Sequence, residues 1–501
     1  MKELEAQISD TRNALEALVA RHRELQSEAN RSHIPIVLRV PEIASAIFQL
    51  CLPDGLLEAT FADRFPLAAP LTLGAVCRSW RQIAWSTPRL WSTISILLNP
   101  HKYPACSGLV KQWLARSGHL PLSVYMGTDL DNDIPTATDQ VGMFHHLFDI
   151  INEYSGRWFY LNLEVPGWMI SHFVGNLGGA TTLHTLKLQR DHYPQTDGQF
   201  KLMAAKPAPS NLELCDFRLK DIEIEWGHIT HVAAYSLNLE ECIELMRRAP
   251  KLLQCRFGDV RRQEDYFTMP NNSVIIPDLQ ILEFEAVHSE VNLFFDHLIL
   301  PSLQHFAVDM DGERLPSESL ASLLKRSACS LKHLAIYKTS FDDTQINELL
   351  RATPSLRRLE MIPDHEQNYN GDSLFHLLAT TSRVSQDDQN PAEPFLPELQ
   401  SIKFIHTAPV SWSLIPDIFG LISEIDDPHQ RPLRKFQIIV DPAQDGSYLL
   451  PVHIIDKKTI CRILELMDAG ISMQFRYSRR DHDLLQLSMQ HHGVTREELE
   501  K

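Results

Sequence analysis

An imperfect repeat in the second part of the chain constrains the fold more than any other feature of the sequence. Its unit is an apolar residue, two variable residues, an apolar residue, one variable residue and a third apolar residue. It occurs at Leu183-Leu186-Leu188, Leu212-Cys215-Phe217, Leu252-Cys255-Phe257, Leu279-Leu282-Phe284, Leu303-Phe306-Val308, Leu331-Leu334-Ile336, Leu356-Leu359-Met361, Leu399-Ile402-Phe404 and Leu433-Phe436-Ile438, with Trp158-Leu161-Leu163 as a degenerate copy. Successive first leucines lie 29, 40, 27, 24, 28, 25, 43 and 34 residues apart, so the longer steps indicate inserted loops.

Helical patterns separate these short apolar units. Leu239, Cys242, Ile243 and Met246 have helical spacing, and similar groups surround Leu323, Leu349 and Leu377. Strand, turn and helix at this period predict an α/β fold in which stacked repeats place parallel strands inside and helices outside. An unrelated α/β domain with the same alternation is the alternative. One interruption, Ser382–Glu398, is polar, acidic and proline-rich, and we expect it to be exposed and mobile.

A second apolar region precedes the repeats, between Ile34 and Trp91. Pro41-Glu42 suits a helix start, because proline lacks only an N–H that the first turn leaves unpaired, and a carboxylate favours the positive end of the helix dipole. Ile43, Ile47, Leu50 and Cys51 then fall on one helical face, and Leu73, Val76, Cys77 and Trp80 repeat that spacing. The pattern predicts two amphipathic helices and a tryptophan-rich tail.

The same residues resemble an F-box. The resemblance lies in Val-Pro-Glu-Ile at 40–43, Ile47-Phe48, Leu50, Val76-Cys77-Arg78-x-Trp80 and Pro88-x-Leu90-Trp91. It implies a three-helix module that docks a Skp-type adaptor, and through it a cullin ubiquitin ligase. The implied adaptor-binding residues are Pro41, Glu42, Ile43, Ile47, Phe48, Leu50, Val76, Cys77, Trp80, Pro88, Leu90 and Trp91. Two departures are Val40 in place of the usual leucine and the long insertion Pro53–Pro70. A plain helical hairpin that caps the next domain is the alternative.

The N-terminal segment carries a heptad pattern. Apolar or weakly polar residues alternate steps of three and four at Met1, Leu4, Ile8, Thr11, Leu15, Leu18, His22 and Leu25. One interpretation is self-association as a homodimer through a coiled coil of residues 1–32. The other is a single amphipathic helix that packs on the following module or is left solvated.

The repeat region resembles the leucine-rich repeats that follow the F-box in many substrate adaptors, and a coiled coil ahead of an F-box is similar to the large F-box families of mushroom-forming fungi. The asparagine expected after each strand is absent, since Asp191, Lys220, Val287 and Asp311 stand there. The predicted domains are a coiled-coil helix at 1–32, the F-box at 33–98, a connecting region or N-terminal cap of the array at 99–157, and an irregular leucine-rich-repeat-like solenoid at 158–501.

Composition and motifs limit the function classes. The net charge of −17 argues against nucleic acid or an anionic membrane as the main partner. The sequence has no phosphate-binding glycine loop, no HExxH or GxSxG motif and no paired-cysteine zinc pattern. We therefore expect no catalytic residues, no metal and no cofactor, and a protein that is not an enzyme. Eight scattered cysteines favour a reducing compartment, the cytoplasm or the nucleus.

The variable positions that flank the inner apolar residues of each strand are the candidate substrate-binding surface, because they would line the concave face of the array. They are Lys187, Arg218, Arg256, Glu283, Glu285, Asp309, His333, Tyr337, Arg358, Glu360, Lys403 and Lys435. Solvated strand faces without a ligand are the alternative. The sequence predicts a non-catalytic adaptor whose F-box binds the ligase and whose array binds a protein substrate. A repeat scaffold with no ligase, capped by the F-box-like hairpin, is the second hypothesis.

Overall fold

A computed structural model describes residues 2–33, 40–52, 69–98, 103–128, 141–176, 182–190, 198–260, 273–286, 291–364, 369–381, 395–406, 410–425, 427, 430–440, 454–477 and 483–496. The chain divides into two compact units. The N-terminal unit comprises Met1–Leu186 and Arg190–Pro207, and the C-terminal unit comprises Lys187–Gln189 and Ala208–Lys501.

The N-terminal unit combines short helices with parallel strands. Its helices are α1 Lys2–His33, α2 Pro41–Gln49, α3 Ala69–Val76, α4 Arg78–Trp85, α5 Tyr103–Arg116, α6 Val141–Glu153 and α7 Gly167–Ile170, with a 3-10 turn at Pro88–Trp91. Its strands are β1 Thr93–Leu98, β2 Leu122–Thr128 and β3 Trp158–Val165, and both pairings, β1 with β2 and β2 with β3, are parallel. The strand β4, Thr185–Arg190, is divided between the two units.

The C-terminal unit is built on a large parallel sheet. Its strands, in the order in which they pair, are β5 Asn211–Cys215, β6 His231–Tyr235, β7 Gln254–Val260, β9 Ile281–Ala286, β11 His305–Asp309, β12 His333–Thr339, β13 Arg358–Pro363, β14 Ser401–His406, β15 Lys435–Val440 and β16 Ser472–Tyr477. A separate parallel pair consists of β8 Val274–Ile275 and β10 Leu298–Ile299. The predicted α/β class with parallel strands is confirmed.

Helices alternate with these strands along the chain. They are α8 Leu239–Arg248, α9 Asn292–Asp296, α10 Ser317–Ser327, α11 Asp343–Arg351, α12 Asp372–Thr380, α13 Leu414–Asp417, α14 Lys457–Asp468 and α15 Leu484–His491. Side-chain caps define several starts: Asn238 accepts from the Glu241 N–H, and Asp342 forms a capping box with Gln345. The predicted helical groups around Cys242, Leu323, Leu349 and Leu377 lie in α8, α10, α11 and α12.

One buried row of side chains crosses the whole sheet of the C-terminal unit. The row is Leu212, Val232, Cys255, Leu282, Phe306, Leu334, Leu359, Ile402, Phe436 and Met473, each paired in register with the next. Helix side chains cover it: the ring centre of Phe295 in α9 lies 5.9 Å from that of Phe306, and the ring centre of Phe375 in α12 lies 5.9 Å from that of Phe436. Truncating a member such as Leu334 to alanine would cost about 2–5 kcal/mol.

Two features of the repeat differ from the sequence prediction. The copy Leu212-Cys215-Phe217 is out of register, because β5 ends at Cys215 and buries Leu212 and Leu214 instead. A copy at Ile229-Val232-Ala234, in β6, was missed inside the step of 40 residues, because alanine is a weak apolar signal. Two strands, β1 and β2, also precede the first strand that the repeat pattern indicates.

The second helix predicted before the repeats is two helices. Cys77 has an extended backbone, with φ at −157°, and it separates α3 from α4. Its Sγ accepts a hydrogen bond from the Trp80 N–H at 3.4 Å and so caps α4. A continuous helix through Leu73, Val76, Cys77 and Trp80 was therefore wrong, and the stretch holds three short α-helices. Of the insertion Pro53–Pro70, residues 53–68 lie outside the described residues, and the last two residues begin α3.

A buried arginine anchors the end of α12. Arg431 is 8% exposed, and its guanidinium donates to the carbonyl oxygens of Leu378 and Phe395, each at 2.8 Å, and to Thr381 Oγ1 at 2.9 Å. Burial lowers the pKa of Arg431 to about 10. The carbonyls of a helix C-terminus lack backbone partners, so a cation satisfies them and complements the helix dipole.

The same arginine explains a second correction. We expected Ser382–Glu398 to be exposed; residues 382–394 lie outside the described residues, but Phe395 and Leu396 are buried. Arg431 donates to the Leu396 carbonyl as well, at 3.2 Å, and the Arg351 guanidinium lies 5.6 Å from the centre of the Phe395 ring. Burying the apolar side chains of Phe395 and Leu396 is favourable, so this end of the segment packs into the core and is not exposed to water.

Among the described residues, no helix is long and apolar enough to cross a membrane.

Candidate functional site

The helix α2 presents one apolar face outward and one inward. Ala44 and Phe48 are buried, at 0% and 1% exposed. Ile43, Ile47 and Leu50, which recur at positions i, i+4 and i+7, are 44%, 37% and 85% exposed. We call these three residues the α2 apolar face. Exposed apolar side chains aligned on one helix are typical of a surface that binds a partner.

Of the other residues predicted to bind the adaptor, three are inside the module. Phe48 packs against Trp80 with ring centres 5.0 Å apart, and Leu90 and Trp91 are 1% and 0% exposed. The Trp91 indole N–H donates to the Ala84 carbonyl at 2.7 Å. Phe48, Leu90 and Trp91 therefore stabilise the module and offer little surface.

The remaining members of that set are more accessible. Pro41, Glu42, Val76 and Pro88 are exposed, and Cys77 and Trp80 are partly buried. Trp85, which sequence reasoning missed, is 46% exposed, with the Arg116 guanidinium 4.4 Å from its ring centre. The helical spacing continues from Trp80 to Ile83 and Ala84, which are buried, so the apolar pattern does not mark Trp85.

The second candidate surface is the sheet face opposite the buried row, which we call the polar face. Side chains alternate along each strand, so the residues between the buried ones point to this face. Its middle row, in strand order, is Glu213, Ala233, Arg256, Glu283, Ala307, Ala335, Glu360, Lys403, Gln437 and Gln474. The parallel register thus brings residues far apart in sequence into one line.

A carboxylate organises the centre of the polar face. Glu360 is 5% exposed. Its Oε1 lies 2.5 Å from an Arg358 guanidinium nitrogen and 3.4 Å from His333 Nε2. Its Oε2 lies 3.3 Å from Lys403 Nζ and accepts from the Tyr337 hydroxyl at 3.3 Å. Four side chains from three strands therefore meet on one buried carboxylate, which we call the Glu360 cluster.

The surroundings of Glu360 shift several protonation equilibria. The His333 imidazole, with the charges of Lys403 and Arg358, holds the pKa of Glu360 well below its usual range, against the opposing effect of burial. Burial and the Glu360 charge raise the pKa of Tyr337 to about 12. Near neutral pH the cluster thus contains an ionised carboxylate and a neutral phenol.

His305 extends the cluster to β11. Its Nδ1 lies 3.0 Å from His333 Nδ1, so one ring donates and the other accepts. Burial, then the neighbouring His333, lower the pKa of His305. Sequence reasoning missed His305, although it stands two residues before Ala307 in the alternating register, and one further step of that register would have found it.

Other predicted residues of the polar face form ion pairs. Arg256 Nε lies 3.5 Å from Glu283, and its guanidinium lies 5.8 Å from the centre of the Tyr235 ring. Lys338 Nζ lies 3.5 Å from Asp309.

The flanks of this surface are less uniform. Lys187 pairs with Glu213, and Glu285 and Lys435 lie at polar-face positions of β9 and β15. Arg218 does not lie on the face, because β5 ends earlier; it pairs with Glu241 of α8 at 2.7 Å.

The polar face presents charged, imidazole and phenol side chains. Within the part of the chain that the structure describes, no group of histidine, cysteine, aspartate or glutamate side chains could hold a metal ion. The histidines at 145–146 and 491–492 lie on helices α6 and α15.

No protein-family model matches this chain, and no curated protein matches it.

Replacing Glu360 with glutamine tests the cluster. A carboxylate with a depressed pKa contributes stability that is present above its ordinary pKa, near 4.5, and is lost as the pH falls below it. We expect Glu360→Gln to lower the free energy of unfolding by about 1–3 kcal/mol at neutral pH, with a gap to wild type that narrows below about pH 5. Urea unfolding followed by far-ultraviolet circular dichroism measures both.

Glu398→Gln is the matched control, because Glu398 is half exposed and pairs with Arg357 at 3.1 Å. It should change the free energy of unfolding by less than about 1 kcal/mol. A Glu360→Gln gap that does not change with pH would contradict the assignment.

Proposed function

We propose that this protein is a substrate-recognition adaptor of a Skp–cullin–F-box ubiquitin ligase. The single observation that carries the proposal is the α2 apolar face, which leaves Ile43, Ile47 and Leu50 uncovered on a module that buries Phe48 and Trp91. Burying an exposed aliphatic side chain contributes about 1.5–3 kcal/mol, so a partner that covers three of them gains substantial affinity. The F-box resemblance supplies the class of that partner, a Skp-type adaptor.

The C-terminal unit suits the substrate end of such a protein. We propose that its strand–helix repeats are an irregular leucine-rich-repeat-like solenoid and that its polar face binds a protein substrate. The adaptor has no chemistry of its own. It raises the effective concentration of a substrate lysine near a ubiquitin thioester carried by another subunit, and such tethering alone accelerates a transfer reaction.

The helix α1 supports a proposal about assembly. Leu15, Leu18 and Leu25, from the heptad pattern, are 61%, 68% and 51% exposed. Side chains from Ser9 to Gln26 are exposed throughout, which disfavours a helix packed on the rest of the chain. An isolated helix with such a stripe gains stability by burying it in a coiled coil, so the proposed occupant is α1 of a second copy.

Binding of the Skp-type adaptor tests the ligase proposal. We expect the full chain to bind it and the double variant Ile43→Asp, Leu50→Asp to bind more than about a hundredfold more weakly, because two buried aliphatic contacts are replaced by charges. Isothermal titration calorimetry gives both dissociation constants.

The matched control is Leu109→Asp, Leu120→Asp, two leucines of the same unit that are 41% and 37% exposed. It should bind like wild type. If the wild-type chain does not bind the adaptor, the ligase proposal is wrong, and the hypothesis of a repeat scaffold without a ligase replaces it.

Sedimentation equilibrium tests the coiled coil. We expect twice the monomer mass for the full chain, and the monomer mass for a chain that starts at Ser32 and for the full-length double variant Leu15→Asp, Leu18→Asp, because charges in the seam oppose its burial. Equal monomer masses for all three proteins would remove the dimer.

A further inference from the structure

The polar face is divided into two halves of opposite charge. The strands from β5 to β11 place Glu213, Glu283, Glu285 and Asp309 on it. Three cations pair with them: Lys187 with Glu213, Arg256 with Glu283 and Lys338 with Asp309, so one carboxylate is in excess. The strands from β13 to β16 place Arg358, Lys403, Lys435 and Arg476 on it, against the single carboxylate Glu360. We call these the acidic half and the basic half. A cationic patch is notable on a chain with a net charge of −17.

A strip of two histidines and a tyrosine separates the two halves. It consists of His305, His333 and Tyr337, which are partly buried and share the polar face with the alanine pair Ala307 and Ala335 of β11 and β12. The His305 and His333 rings meet edge to face at 4.2 Å. Aromatic rings of this kind provide flat contact area at low conformational cost.

The basic half stays cationic although it contains Glu360. Glu360 holds Arg358 and Lys403 at once, so one carboxylate is shared by two cations and a positive charge remains. Both cations are also fixed in place by that carboxylate, and side chains ordered in advance lose less entropy on binding. The Arg358 and Lys403 side chains stay 54% and 32% exposed, which leaves them accessible.

We propose that the polar face binds an extended segment of the protein substrate that carries basic residues over the acidic half and acidic residues over the basic half. This inference rests on the proposed function of the C-terminal unit. Neighbouring strands lie about 4.8 Å apart, so the four steps from β9 to β14 span about 19 Å. An extended chain advances about 3.3 Å per residue, which places the two charged blocks about six residues apart.

The division of charge decides among classes of partner. A nucleic acid or a phosphate-rich segment is anionic throughout, and the acidic half would repel it. The basic half would likewise repel a purely basic segment. Only a segment with both signs satisfies both halves, and complementary charge chiefly sets specificity and register.

Fluorescence anisotropy with labelled peptides on the full chain tests this inference. The split peptide carries a lysine block and a glutamate block separated by about six glycine and serine residues. Of the three comparison peptides, one carries the two blocks without a spacer, one carries the lysine block only, and one carries the glutamate block only. We expect the split peptide to bind at least about tenfold more tightly than each of the others, with an affinity that falls as salt rises. A single-sign peptide that binds as tightly would overturn the proposal, and so would no binding of any peptide.

Charge reversals locate the site. Lys435→Glu in the basic half and Glu285→Lys in the acidic half should each weaken the split peptide about tenfold, since each replaces an attraction by a repulsion. The matched controls, Lys325→Glu in α10 and Glu348→Lys in α11, change the net charge equally on exposed helix positions and should leave the affinity unchanged. Controls as damaging as the test variants would overturn the proposal.

The peptide experiment is independent of ligase docking. It uses no adaptor, and the variant Ile43→Asp, Leu50→Asp should bind the split peptide like wild type. If the chain binds the split peptide but not the Skp-type adaptor, the ligase proposal is wrong. If it binds the adaptor but not the peptide, the proposal of a charge-divided binding site is wrong.

Discussion

The structure of the C-terminal unit depends on one constraint, the parallel register that stacks one apolar side chain from each strand into the row from Leu212 to Met473. A single strand with its helix cannot bury its own apolar surface, so each repeat forms its core with its neighbours. Because side chains alternate, a strand whose Leu334 or Leu359 joins that row must point its adjacent residues to the opposite face. The buried row therefore fixes the polar face as well.

The polar face shows how a buried charge can be kept on an otherwise exposed sheet face. Glu360 is almost fully covered, yet it meets two cations, an imidazole and a phenol hydroxyl. An unpaired carboxylate at that depth would be strongly unfavourable, whereas one with this many partners is stable and orders them. The cations thus keep defined positions while 54% of the Arg358 side chain and 32% of the Lys403 side chain remain exposed to water.

Much of the fold could be predicted from the sequence, and the failures have physical causes. The period and the apolar pattern were sufficient for parallel strands and for α8, α10, α11 and α12, since burial repeats at every copy. The copy at Val232 and Ala234 was missed, because an alanine buried by close strand packing resembles an ordinary variable residue. Cys77 interrupts a helix through its backbone conformation, which no apolar pattern records.

The candidate site was predictable to a similar degree. Register alone placed Arg256, Glu283, Tyr337 and Arg358 on one face, and the structure brings Tyr337 and Arg358 together on Glu360. The register could not reveal that Glu360 is buried, because its burial depends on the surrounding side chains of Tyr337, Arg358 and Lys403. The same limit applies to the module at α2. The motif that resembles an F-box mixes residues that stabilise the module, such as Trp91, with residues that lie on its surface, such as Leu50.

We propose that this chain binds a Skp-type adaptor through the α2 apolar face and a charged substrate segment through the polar face. The most direct measurement immobilises the split-block peptide and asks whether it retains the Skp-type adaptor when the full chain is added. We expect the adaptor to be retained only when the chain is present, and we expect the Lys435→Glu variant of the chain to release both proteins. Adaptor that stays in solution while the chain remains on the peptide would contradict the proposal.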